Sequence, residues 1–125
     1  MSTNSVIIVK LGNKKYQGVY CHWDGHDEST GRTLRDNFNS KKDAVAITNL
    51  GSLSTVTNCV RVEPTAPHTF SNPQEGTIIA YHRDRQDPVL GICHAQSWKE
   101  IVNKFETVEY VYVWENNQWN THVIP

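Results

Sequence analysis

The sequence predicts an α+β domain: an antiparallel or mixed sheet of about five to six strands with three short helices, in a single layer of helices on the sheet. Apolar and polar residues alternate near both ends of the chain, which is the period of a half-buried strand. Trp98, Ile101, Val102 and Phe105 instead fall at i, i+3, i+4 and i+7, the period of a helix face. No repeat, heptad or low-complexity segment divides the 125 residues, so residues 1–125 are read as one domain.

Val6 to Leu11 is a β-branched apolar run, and the following "GNKK" suits a turn. In the return strand Tyr16, Gly18, Tyr20 and His22 face one way, and Gln17, Val19, Cys21 and Trp23 the other. Asp24-Gly25 ends that strand, with glycine expected at a positive φ. Ser29 or Thr30 is placed to cap a helix reaching Phe38, and Ser40 with Asp43 marks the start of a second helix over "AVAITNL". Cys59 to Glu63 reads as a brief edge strand, followed by the surface loop "PTAPHTFSNPQEG". Thr77 to His82 reads as a buried strand that runs into the ionisable "RDRQDP". Ser97 and Glu100 form a capping box for the third helix. Val108 to Trp114 then alternates, Asn116-Asn117 suits a two-residue hairpin turn, and Trp119 begins the strand that pairs Trp114.

With 12 Lys+Arg against 13 Asp+Glu, the net charge of −1 lacks the basic excess of a duplex-binding surface, so duplex nucleic acid is not an expected partner. No apolar run reaches the roughly 20 residues of a membrane span, so no membrane partner is expected, and the first residues lack the pattern of a signal peptide. Cys21, Cys59 and Cys93 are an odd set, which suits a reducing compartment. They are read as small buried hydrophobes.

Ionisable groups concentrate at two predicted strand ends, "CHWDGHDESTGR" and "YHRDR". If those strands are neighbours, their ends form one site. The first turn of the helix at "ESTGR" offers free backbone N–H groups, with Gly31 for close approach and Arg32 for a bidentate grip on phosphate. Arg83 or Arg85 adds a second cation, and Trp23, Tyr20 and Tyr81 give flat faces on which a base can stack. The plainer alternative is a capped helix with Arg32 in solvent and a solvated charge run after the strand.

Neither a metal nor another cofactor is expected. Cys21 and His22 point to opposite faces of one strand, and no Cys-x-x-Cys or His-Glu-x-x-His spacing occurs. A Gly-x-Ser-x-Gly elbow, a Walker A motif and a dinucleotide fingerprint are likewise missing from the sequence. His22–Asp24 and His82–Asp84 leave general acid–base chemistry open.

The runs "GVYCHWDG", "GRTLRDNF", "LGSLS", "FSNPQEGTIIAYHRDR" and "EYVYVWENNQW" resemble a family of small phage and prophage proteins. The resemblance extends from about Lys10 to Trp119, and departs where members carry Tyr-Pro after the glycine and this chain has His26-Asp27. It implies a phage accessory protein in the cytoplasm of an infected bacterium. Small phage proteins of this kind counter host defence by sequestering a nucleotide signal or by binding a defence protein directly.

The combined expectation is a non-enzymatic binding protein for a phosphate-bearing nucleotide signal. His22, Trp23, Asp24, Arg32, Tyr81, His82, Arg83 and Arg85 are the expected ligand-binding residues, with none assigned a catalytic role. Arg32 and Arg83 would neutralise phosphate, Trp23 or Tyr81 would stack on a base, and Asp24 or His82 would bond sugar hydroxyls. The alternatives are a protein-interaction inhibitor of a host defence protein, and a metal-independent phosphodiesterase using His22 and His82. Edge strands also leave homo-oligomerisation open.

Overall fold

A computed structural model describes residues 3–124. At its centre lies β1 (Ser5–Gly12), whose residues Ser5 to Val9 are buried on both sides. That burial explains the unbroken "VIIV" run, because a strand covered on both faces needs no polar alternation. The turn after Gly12 returns the chain along β2 (Lys15–Cys21) as an antiparallel hairpin, with Ile7 opposite Val19. On its other side β1 pairs in parallel with β6 (Tyr110–Glu115). β6 turns at Asn116-Asn117, both at positive φ, into antiparallel β7 (Gln118–Val123).

The sheet continues beyond β2 through β3 (Leu53–Thr55) to β4 (Ile79–Ala80), giving the order β4-β3-β2-β1-β6-β7. A short β5 (Cys93–Ala95) lies along the other half of the same β2 edge. The mixed sheet thus has seven strands, slightly more than the sequence suggests.

Strand alternation divides the core in two. On one face Ile7, Val19, Cys21 and Tyr112 pack with Leu34 and Phe38 around α1 (Arg32–Asn37) and with Ile47 of α2 (Lys41–Thr48). On the other, Val6, Ile8, Val111 and Val113 pack against Ile101 of α4 (Trp98–Val102). Helices therefore flank both faces of the sheet, where a single layer was expected. The reason is β1 itself, which presents apolar side chains both ways and must be covered twice.

Several local expectations hold. Ser40 Oγ accepts from the Asp43 amide at 3.0 Å and Ser97 Oγ from the Glu100 amide at 3.2 Å, so both helices start where their caps stand. Trp114 and Trp119 are opposite each other across the last hairpin, their rings edge to face at 5.4 Å.

Other expectations are corrected. Cys59 to Glu63 forms no strand; its ladder is one bridge between Cys59 and Thr77. Cys59 is exposed and Cys93 half-buried, leaving Cys21 as the buried thiol. The apolar signal at Thr77 to His82 yields only the two-residue β4, and Tyr81–Arg85 is a helical turn, α3. The Asp84 carboxylate reaches back to the Ala80 amide at 2.8 Å, and Gln86 at φ 61° ends the turn. No helix among the described residues is long and apolar enough to cross a membrane.

Candidate functional site

The segments "CHWDG" and "YHRDR" converge on β3. His22 donates its amide to Leu53 O at 3.0 Å and Trp23 to Ser54 O at 2.9 Å, while Tyr81 donates to Ser52 O at 3.1 Å from the other side. Three consecutive carbonyls, of Ser52 just before β3 and of Leu53 and Ser54 within it, therefore hold both segments in place, one strand apart.

On the α4 face this brings aromatic rings together. Tyr20 stacks on Phe105 at 5.6 Å, and its hydroxyl is hydrogen-bonded to His22 Nδ1 at 3.1 Å. Trp23, 44 % exposed, stands edge-on to the His22 ring at 4.5 Å. Burial and then the neighbouring Tyr81 raise the Tyr20 phenol above its ordinary range. Tyr81 stacks on Phe70 at 5.6 Å. The exposed Arg85 guanidinium lies 4.5 Å from the Tyr81 ring and 4.8 Å from Phe70, and holds Asp87 through two hydrogen bonds of 2.9 and 2.7 Å. That ion pair raises Arg85 and lowers Asp87 from their ordinary values. His82 uses Nδ1 on the Asp87 carbonyl at 2.8 Å.

The remaining expected residues have other engagements. Arg83 donates from Nη1 to Val60 O and from Nη2 to Ile78 O, each at 2.6 Å, and from Nε to Asp84 Oδ1 at 2.8 Å. It stitches the 59–76 loop to the sheet, and a ligand phosphate would have to displace those carbonyls. Arg32 projects into solvent from the helix on the opposite face, 3.6 Å from Asp36. No described contact joins it to Tyr20 or Tyr81. Asp24 takes φ 55°, and its carbonyl accepts from the Thr30 amide at 3.2 Å and hydroxyl at 2.7 Å.

The helix start at "ESTGR" is also not the open anion cradle that its letters suggest. Residues Asp27–Gly31 form a π-helical turn in which two amides are already engaged: Ser29 N–H by His26 O and Thr30 N–H by Asp24 O. Gly31 is buried with an ordinary helical φ of −59°. A Cβ there would come within 2.9 Å of the Tyr112 ring, so packing explains this glycine. The same holds at Gly25, where Asp24 takes the positive φ and a Cβ would meet Thr3 O at 2.7 Å.

A scan against protein-family models finds no match, and searches of curated proteins and of solved structures find none either.

Sequence reasoning overlooked Phe70 and His68. Phe70 is a lone aromatic in a polar loop, and that isolation is the signal that could have marked it. It is drawn in by its amide, which donates to Asp84 O at 3.0 Å. His68 accepts the Gln74 amide on Nδ1 at 3.0 Å and presents Nε2 to Asp84 Oδ1 at 2.9 Å. Among the described residues this is the histidine–carboxylate contact within 4.0 Å, and its side chains are 5 % and 1 % exposed. His22 and His82 have no such carboxylate partner. Nor do three His, Cys, Asp or Glu side chains gather to hold a metal ion among the described residues.

Proposed function

We propose that this protein is a phage accessory protein that binds and sequesters a nucleotide-type small molecule without turning it over. The observation that carries the reading is the aromatic face on either side of β3, with Tyr20, His22 and Trp23 on one flank and Phe70, Tyr81 and Arg85 on the other. Flat rings suit a base, and an exposed guanidinium held over two rings suits a phosphate, for which it would exchange Asp87. Arg85 takes the phosphate role first expected of Arg83 and Arg32, because Arg83 serves backbone carbonyls and Arg32 stands on the opposite face.

Sequestration is the reading adopted over cleavage because neither His22, held by the Tyr20 hydroxyl, nor His82, held by the Asp87 carbonyl, forms a histidine–carboxylate pair of the kind that strengthens a general base. Titration calorimetry and native mass spectrometry against cyclic oligonucleotides and ADP-ribose derivatives test the proposal. Saturable binding, with the ligand recovered at unchanged mass after heating the complex, supports it. Absence of binding by every member at micromolar protein, or recovery of a cleaved product, overturns it.

A further inference from the structure

A hollow of about 370 Å³ lies at the opposite end of β2 from His22, walled by Leu11, Lys14, Lys15 and Tyr16 of the first hairpin and by His94 and Ala95 of β5. Its wall is largely carbon, and its volume falls within the range of small-molecule sites. None of its residues belongs to the aromatic face described above.

The charge around it is one-sided. Lys14 and Lys15 are exposed, with no carboxylate within 4.0 Å among the described residues. Lys10 lies over the Tyr16 ring at 5.9 Å, Lys41 donates to Leu11 O at 2.9 Å, and Lys104 donates to His94 O at 3.2 Å. The acid that touches the wall is Glu115, which accepts from the Tyr16 hydroxyl at 3.1 Å. Lysine side chains without carboxylate partners around an apolar floor fit a ligand with an apolar body and one acidic group.

A buried relay fixes the one imidazole in this wall. Gln17, only 7 % exposed, donates from Nε2 to Thr48 Oγ1 at 2.7 Å and to Asn49 Oδ1 at 2.8 Å. The Thr48 hydroxyl donates in turn to Ala44 O, so its oxygen must accept from Gln17. Gln17 Oε1 is thereby left as an acceptor and takes the His94 Nε2–H at 2.8 Å. The tautomer of an exposed histidine is therefore set from the core, and Nδ1 is its remaining ring nitrogen.

We propose that this hollow is a second binding site, for a small aromatic anion: the ring lies on Leu11 and Tyr16, the acidic group meets Lys14 and Lys15, and His94 Nδ1 accepts from an N–H of the ligand. The probe is 1-anilinonaphthalene-8-sulfonate, with N-phenyl-1-naphthylamine as the same ring system lacking the sulfonate. The folded protein should bind the sulfonate probe saturably at one equivalent, and the neutral analogue about tenfold or more weakly. Amide shifts in nitrogen–proton spectra should cluster on Leu11 to Tyr16 and on His94 and Ala95. Lys14→Glu with Lys15→Glu should weaken the probe by about tenfold or more, with unchanged thermal unfolding. Arg85→Ala should leave probe binding intact. Equal binding of the two probes, an unchanged affinity in the double variant, or shifts centred elsewhere overturns the proposal. Nucleotide binding by the double variant keeps this outcome separate from that of the aromatic face.

Discussion

His68 Nε2 lies 2.9 Å from Asp84 Oδ1, in a contact that closes a long polar loop onto a single turn of helix. The Asp84 carboxylate accepts from the Ala80 amide at 2.8 Å and from Arg83 Nε at 2.8 Å, and its backbone carbonyl accepts from the Phe70 amide at 3.0 Å, so one residue joins the loop, β4 and α3. The aromatic face depends on this junction, because Phe70 comes from the loop and Tyr81 from the helix.

Asp84→Asn should therefore cost about 3 kcal/mol in urea unfolding, the penalty for breaking a buried charged pair. The pH dependence has a definite sign. Burial raises the Asp84 carboxyl, but Arg83 and the Ala80 amide outweigh it, and the folded value lies below the usual carboxylate range. The unfolded chain then takes up the proton first. Asp84 contributes its stability above about pH 4 and loses it as pH falls through the lower folded value. Wild type should lose stability below about pH 4 more steeply than Asp84→Asn; parallel curves would show that another group controls acid unfolding.

Arg83→Ala and Arg85→Ala should separate stability from binding. Arg83 is hydrogen-bonded to two backbone carbonyls and a buried carboxylate, so its loss should cost about 2 kcal/mol. Arg85 is exposed and pairs only with Asp87 and the ring faces, so Arg85→Ala should leave the melting temperature unchanged while abolishing nucleotide capture. Calorimetry and thermal unfolding on the two variants give the comparison, and a wild-type melting curve for Arg83→Ala would release that residue for ligand binding.

Gly31→Ala distinguishes packing from ligand approach. Alanine should gain up to about 1 kcal/mol of helix propensity. Its Cβ would, however, lie 2.5 Å from Asp27 Oδ1 and 2.9 Å from the fully buried Tyr112 ring. Asp27 can swing away only by giving up its 2.8 Å bond to Arg35, and Tyr112 is anchored by its 2.6 Å hydroxyl bond to Gly25 O. The variant should be destabilised by about 1–2 kcal/mol in urea. A stabilised variant would mean that the neighbours give way freely.

Features governed by near neighbours were legible in the sequence. The β1–β2 and β6–β7 hairpins, the Ser40 and Ser97 caps and the Trp114–Trp119 pair all rest on short-range alternation or spacing. The parallel pairing of β1 with β6 joins Ile7 to Tyr112 across most of the chain, and no local pattern encodes it. The strand expected over Thr77 to His82 overruns into α3 at Tyr81 and His82, because that turn depends on tertiary bonds, from Asp84 to the Ala80 amide and from Arg83 to Val60 O. At the site, Trp23 and Tyr81 could be found as aromatics beside strand ends. Phe70 and His68 sit in a loop whose composition resembles solvent-exposed chain, and only the fold draws them inward.

Cys21 offers a probe of the strand that carries His22 and Trp23. Burial pushes its thiol up to about 12, and Sγ sits 3.6 Å from Trp23 O and 3.8 Å from Ser54 O. At pH 8 only about one thiol in ten thousand is then the reactive thiolate, and access is closed as well. Iodoacetamide at that pH should label exposed Cys59 first, half-buried Cys93 more slowly, and Cys21 far more slowly still unless urea opens the fold. Peptide mass spectrometry reads all three positions in one digest. Any slow native labelling of Cys21 reports the opening of β2 from β3, because the His22–Leu53 and Trp23–Ser54 bonds close that edge. If a nucleotide occupies the aromatic face as proposed, it would stabilise the closed form and should slow this labelling in proportion to its occupancy. A ligand that binds but leaves the Cys21 rate unchanged must sit away from the β2–β3 edge.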